Sequence, residues 1–228
     1  MAWQHVLGHD EIAERFRLSL ARGRMAGSFL FTGPSGIGKR TFALNLARAL
    51  LCPNADEREM APCGVCDSCV QVFAGTHPDL LTVAKPLEKS FLPLELLIGD
   101  KEHRMREGLC HDISLKPYQG GRKVAIIDDA DFLNIEGANC LLKTLEEPPP
   151  KSVVILIGTS PAKQLPTIRS RCRSVRFSPL TTENVAEILV REQLFDDPSQ
   201  ADALARVSRG SVQRALQMND ESLSEFQG

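Results

Sequence analysis

The stretch Ser28-Phe29-Leu30-Phe31-Thr32, followed by Gly33-Pro34-Ser35-Gly36-Ile37-Gly38-Lys39, decides the fold. The uncharged run at 28–32 reads as a buried strand. The next seven residues match G-x-x-x-x-G-K, a turn whose backbone N–H groups can cradle a phosphate. Behind the turn, residues 40–51 place Phe42, Leu44, Leu46, Ala47 and Leu50 on the apolar surface of a helix. The positive N-terminal end of that helix and the Lys39 ammonium then point at the same place. A glycine-rich turn with no ligand is the plain alternative. Strand, loop, lysine and helix in this order favour ATP or ADP.

Position 40 departs from the pattern. A Ser or Thr hydroxyl there would ligate Mg²⁺, and this chain has Arg40. Thr41 does not take over, because one step along a helix turns a side chain by about 100°. Phosphate binding is therefore expected, with hydrolysis impaired. The partner motif is Val124-Ala125-Ile126-Ile127-Asp128-Asp129-Ala130-Asp131. A buried strand ending in Asp128 sets a carboxylate at the edge where parallel sheets bind ligands, the side on which Mg²⁺ would sit. Asp129 takes the place of a water-orienting Glu and is one methylene shorter. Asp131 is expected to be part of a solvated capping turn.

Outward from these motifs, strands are expected at 80–84, 122–128, 153–158 and 174–177. Helices are expected after Asp10 as cap, with Ile12, Phe16 and Leu20 inward, at 102–115 and at 136–147, the last closed by Pro148, Pro149 and Pro150. A short turn of helix is expected at 165–168. Residues 85–99, with two prolines and no clean period, read as an insertion or loop. From residue 179 only helices follow, at 182–192, 200–208 and 211–218. Alternation of strand and helix implies a parallel α/β sheet covered on both faces, and the tail implies a small helical unit.

Composition limits the function classes. Lys and Arg number 27 against 29 Asp and Glu, a net charge of −2, which excludes a polybasic nucleic-acid binder but leaves room for a local basic patch. Aromatics are 5%, so an aliphatic core of Leu, Ile, Val and Ala is expected. The longest apolar run is 153–157, too short to span a bilayer, and the first residues lack the pattern of a secretory leader. Seven cysteines suit a reducing, cytoplasmic setting better than a disulfide framework.

Four of the cysteines crowd together: Cys52, then Cys63-Gly64-Val65-Cys66-Asp67-Ser68-Cys69. Thiols at this spacing suit a structural tetrahedral Zn²⁺, with Cys52 or His77 as the fourth ligand. An iron–sulfur cluster would want a further Cys where Phe73 stands. Cys110 and Cys140 read as interior packing residues, and His5, His9, His103 and His111 show no ligand spacing.

Residues 161–182 hold no acidic residue but contain Lys163, Arg169, Arg171, Arg173 and Arg176, and within them lies Ser170-Arg171-Cys172. Together with the phosphate loop, the four cysteines, Thr76-His77-Pro78-Asp79 and the run from Asn139 to Pro149, this order of motifs resembles the delta-prime subunits of the bacterial DNA polymerase III clamp loader. These are relatives of the gamma/tau subunits and of eukaryotic replication factor C. Residues 85–99 have no counterpart in the family's pattern.

The resemblance implies an AAA+ P-loop NTPase fold at 1–178: a five-stranded parallel sheet with flanking helices and a zinc module at about 52–70. It implies a helical lid at 179–228 and a C-terminal collar domain, expected to be absent here so that the isolated chain is a monomer. It further implies that Arg171 reaches into a neighbouring subunit's ATP site. ATPase members carry an Arg on the lid in a G-S-x-R pattern, where this chain has Gly210-Ser211-Val212-Gln213 and Arg214 one step off. Arg40, Asp129 and Gln213 together point to a blunted site. The implied role is a subunit of a nucleotidyltransferase complex in DNA replication, partnered by gamma/tau, delta, the sliding clamp and primed DNA. An ATP-hydrolysing gamma/tau-like subunit is the alternative. The zinc module and Ser170-Arg171-Cys172 argue against a small-molecule kinase.

Overall fold

The computed structural model describes residue 3 and residues 6–56, 59–119, 121–195 and 197–225, with side chains to residue 220; His5 lies outside the described residues. Among these, five strands, β1 (Ser28–Thr32), β2 (Leu80–Val83), β3 (Lys123–Ile127), β4 (Ser152–Gly158) and β5 (Arg173–Arg176), form one sheet in the order β2-β3-β4-β1-β5. Every pairing is parallel, with Phe31 of β1 opposite Ile157 of β4 and Val175 of β5. β1, β3 and β4 are buried along their whole length, which is why they read as continuous apolar runs. Their side chains alternate between the two faces.

One face carries Phe29 and Phe31, Val124 and Ile126, and Val153, Ile155 and Ile157. It is covered by α1 (Asp10–Ala21) and α2 (Lys39–Leu51), and the same core continues through Phe177 and Leu180 into α8 (Thr182–Arg191), α9 (Pro198–Val207) and α10 (Val212–Glu225). The other face carries Leu30, Ala125, Ile127, Val154 and Leu156. α4 (Glu95–Ile98), α5 (Leu109–Ser114), α6 (Ile135–Glu146) and α7 (Pro166–Arg169) cover it, while α3 (Asp67–Ala74) packs beside α2 through Val72. No described helix is long and apolar enough to cross a membrane.

Four expectations need correction. The core is aliphatic on one face only, because the few aromatics concentrate on the other. Phe16, Phe29, Phe31, Phe42 and Phe177 are buried there, with ring centroids 4.9–6.3 Å apart. Each such ring pair contributes about 0.5–1.5 kcal/mol beyond its burial. Residues 102–108 are turns, and the helix starts only at Leu109. Asp100 Oδ1 accepts the N–H groups of Glu102 and His103 at 2.9 and 2.8 Å, an alternative to helical bonding. Gly108, at φ 86°, packs its Cα against the backbone of Ile98 and Gly99, where any side chain would collide. Residues 85–99 are no mere excursion, since Leu92, Leu97 and Ile98 are core residues. Finally, α1 starts at Asp10 itself, with His9 in the cap position and no side-chain cap.

Candidate functional site

A cleft of about 910 Å³ opens at the C-terminal ends of β1, β3 and β4. Val6, Leu7, Leu180, Ile188 and Leu216 give it an apolar end; residues 35–41 with Asp128 and Asp129 give it a polar one. The loop Gly33-Pro34-Ser35-Gly36-Ile37-Gly38 is braced from below. Ile37 is fully buried, its carbonyl accepts a 2.7 Å hydrogen bond from His9 Nε2, and the His9 ring stands edge-on to Phe177 at 4.9 Å. Above the loop sits α10, where the Val212 N–H donates to the Gly36 carbonyl at 2.9 Å. Gly36, at φ 72°, has no room for a side chain beneath Ser211 and Gln213.

Lys39 is buried, with Nζ donating to the carbonyls of Gly33 (2.7 Å) and Pro34. Burial pulls its pKa below the usual lysine value, opposed by the nearby charges of Asp128 and Asp131. Arg40 reaches across the mouth of the loop, its Nη1 2.9 Å from Asp128 Oδ2. The other Asp128 oxygen accepts the Asp129 N–H at 3.0 Å, and Asp129 itself stands at φ 55°. Thr41 lines the cleft, its carbonyl accepting from Asn45 Nδ2 at 3.0 Å. Gln213 lines the cleft too.

Asp131 overturns its sequence assignment. Its side chain is 5% exposed, not solvated, and it accepts from the Thr159 N–H (2.9 Å), the Thr159 hydroxyl and Gln164 Nε2. It therefore fixes the end of β4 against the cleft. Thr159, Arg48 and Arg191 also line the cleft and went unnoticed in the sequence, and Lys163, noted there only as one of a basic stretch, lines it too. Only the position of Thr159, just past a buried strand, could have signalled it.

The four cysteines converge. The ligand atoms of Cys52, Cys63, Cys66 and Cys69 all lie within 4.8 Å of one another, with Cys52 Sγ 3.7 Å from Cys63 Sγ and 3.8 Å from Cys66 Sγ. A tetrahedral ion with bonds of about 2.3 Å needs sulfur atoms about 3.8 Å apart, so this group can hold one metal ion. The N–H groups of Val65 and Cys66 draw the Cys63 thiol down to about 6, and burial pushes Cys69 up to about 12. Cys52 caps the far end of α2, tying the cluster to the helix that starts at Lys39. His77 stands outside this group, with both ring nitrogens engaged elsewhere. Its Nδ1 accepts the Asp79 N–H at 3.0 Å and its Nε2 bonds Ser68 Oγ at 2.9 Å, while Ser68 donates to Leu51 O. It clamps α3 to the sheet.

Arg171 does not line the cleft. Its Nε bonds Glu146 Oε2 at 2.9 Å, and Nη1 donates to Thr167 O at 3.3 Å. The acid-free stretch around it in sequence is thus answered by a carboxylate from α6. Cys110 is buried, as expected of a packing residue, whereas Cys140 is only half-buried; Cys172 is buried as well.

A family model described as DNA polymerase III, delta subunit, matches residues 8–181. The chain belongs to that DNA polymerase III subunit family. Curated relatives agree: DNA polymerase III subunit delta' of Pseudomonas aeruginosa is 34% identical over 205 residues, 90% of this chain and 59% of that protein. DNA polymerase III subunit tau of Escherichia coli is 31% identical over 227 residues, 98% of this chain but 33% of that protein. The chain thus spans a third to three-fifths of the length of these family members. Among solved structures, a Holliday junction branch migration motor, RuvB of Thermotoga maritima, superposes with a TM-score of 0.53 at 18% identity. It covers 93% of this chain and 61% of that one, and shows the AAA+ fold. The family resemblance read from the motifs is borne out.

Proposed function

We propose that this chain is a clamp-loader subunit of the DNA polymerase III holoenzyme in replication, of the delta-prime type. It helps load the sliding clamp onto primed DNA by completing a partner's ATP site while its own is blunted. The observation that carries this reading is the Arg40–Asp128 ion pair, which engages the carboxylate expected on the Mg²⁺ side, in a cleft where Asp129 and Gln213 also depart from the hydrolysing pattern. Nucleotide phosphate would lie on residues 33–39, and Asp129 would be a weakened water-positioning group.

Arg171 would act in trans. Phosphoryl transfer leaves charge on the transferred group, and a planar guanidinium stabilises it with two parallel hydrogen bonds. Its position outside the cleft, on a half-exposed ion pair, supports donation to a neighbour. Zn²⁺ on Cys52, Cys63, Cys66 and Cys69 would hold the module between α2 and β2. The division into an AAA+ unit to about 178 and a helical lid beyond it, partners of the gamma/tau and delta kinds, and a cytoplasmic setting complete the proposal.

The 31% identity to tau over nearly the whole chain favours a second reading, an ATP-hydrolysing subunit. ATP turnover separates the two when measured on the chain alone and after mixing with tau/gamma and delta subunits, clamp and primed DNA. The delta-prime reading expects negligible turnover alone and stimulated turnover that depends on this chain in the mixture. Turnover by the chain alone, abolished by Lys39→Ala, would place it with the hydrolysing subunits.

A further inference from the structure

We propose that Arg40 is the built-in cation of the cleft, so that nucleotide phosphate binds there without Mg²⁺. This rests on the cleft being a nucleotide site and adds what neutralises the phosphate. The fold implies a Mg²⁺ held between a hydroxyl after the lysine and the carboxylate at the end of β3. The residues present do not fit that ion. The hydroxyl is replaced by a guanidinium, and Thr41, which also lines the cleft, leaves the helix about 100° round from position 40. Both oxygens of Asp128 are engaged, Oδ2 by Arg40 Nη1 at 2.9 Å and Oδ1 by the Asp129 N–H at 3.0 Å. Of the two other carboxylates lining the cleft, Asp131 is taken by Thr159 and Gln164, and Asp129, at φ 55°, stands where the water-orienting group would be rather than the metal ligand. Mg²⁺ needs near-octahedral oxygen ligands and gives up water reluctantly. To enter, it would have to displace the guanidinium from Asp128 and then sit beside it.

The same geometry equips Arg40 for the phosphate. It stands in the first turn of α2, next to Lys39, and lines the cleft with its side chain 53% exposed. One N–H is on Asp128, which fixes the plane of the fork. The remaining donors are left to reach phosphate oxygens, a match that arginine makes by charge-assisted, paired hydrogen bonds. Asp128, in a metal site a ligand, here becomes the anchor of the cation. The ligand class is a nucleoside di- or triphosphate free of metal.

Calorimetric titration of the purified chain with ADP, in excess EDTA and in millimolar Mg²⁺, tests this. The expected result is a dissociation constant that differs by less than about threefold between the two buffers. Arg40→Ala should weaken binding in EDTA by about tenfold or more. Arg40→Thr, which restores a hydroxyl, should bind ADP only when Mg²⁺ is present. Melting curves establish that both variants fold. Wild-type binding that requires Mg²⁺ overturns the proposal and leaves the nucleotide site standing. Arg40→Ala binding as tightly as wild type in EDTA also overturns it, as does Arg40→Thr binding equally in both buffers. Absence of ADP binding in either buffer removes the nucleotide site and the proposal together.

Discussion

Replacing Gly36 by Ala tests whether α10 is seated on the phosphate loop. Gly36 stands at φ 72°, and an added Cβ would lie 2.4 Å from Gln213 Cβ, 2.4 Å from Ser211 Oγ and 2.9 Å from Gln213 N. Two costs combine: about 1–2 kcal/mol for a left-handed L-residue, and about 1–3 kcal/mol for overpacking against atoms held by a helix backbone. Gly75 supplies the control, since it has φ 71° and a Cβ added there would meet nothing within 4 Å. Gly75→Ala therefore carries only the first cost. For a chain of this size each kcal/mol lowers the melting temperature by about 2–4 °C. Gly36→Ala should melt about 2–12 °C below Gly75→Ala, by calorimetry at matched concentration. Amide exchange gives a local reading: the Val212 N–H, bonded to Gly36 O at 2.9 Å, should lose protection in Gly36→Ala and keep it in Gly75→Ala. Equal melting of the two variants, with Val212 still protected in both, would refute the seating of α10.

Removing metal with a chelator should speed proteolysis within residues 52–70 and leave the circular dichroism of the sheet intact, since metal binding contributes to folding of that module alone. Cys63→Ser should lower metal content measured by elemental analysis. Burial depresses the pKa of His77, opposed by the charge of Asp79 and a hydrogen bond with Gln119, so the neutral form, which accepts the Asp79 N–H, belongs to the fold. Its contribution is complete above about pH 6.5 and declines below it, by at most about 1.4 kcal/mol per pH unit until the lowered folded value is passed. Urea melts of wild type and His77→Asn should diverge above pH 6.5 and converge as pH falls. The Arg171–Glu146 pair is substantially exposed, 30% and 59%, so Glu146→Gln should change stability by less than about 1 kcal/mol in the same assay.

How far the sequence reaches depends on where each element's partners lie. β1, β3 and β4 were legible because strands buried on both faces need apolar residues at every position, and the loop at 33–39 was legible because its parts are consecutive. The convergence of the cysteines was legible from their spacing, whereas the engagement of His77 with Ser68 and the Asp79 N–H was not. Residues 102–108 misled because their helical composition loses to local bonds from Asp100 and to the close backbone approach at Gly108. The burial of Asp131 depends on Thr159 and Gln164, and the pairing of Arg171 on Glu146, contacts that form only when β4 and α6 are in place. The same holds for Arg40: its type was a visible departure, but its bond to Asp128 joins positions 88 residues apart.

The proposed role of this chain is to complete a neighbour's ATP site. Its most direct test is ATP hydrolysis and clamp loading by the reconstituted complex carrying Arg171→Ala, with assembly verified by gel filtration. A trans-acting arginine accelerates phosphoryl transfer by about 10³–10⁵. The one site served by this chain should fall silent while assembly is unchanged, and Arg171→Lys, lacking the planar fork, should not restore it. Wild-type rates of DNA-stimulated hydrolysis and clamp loading in the Arg171→Ala complex would contradict that role.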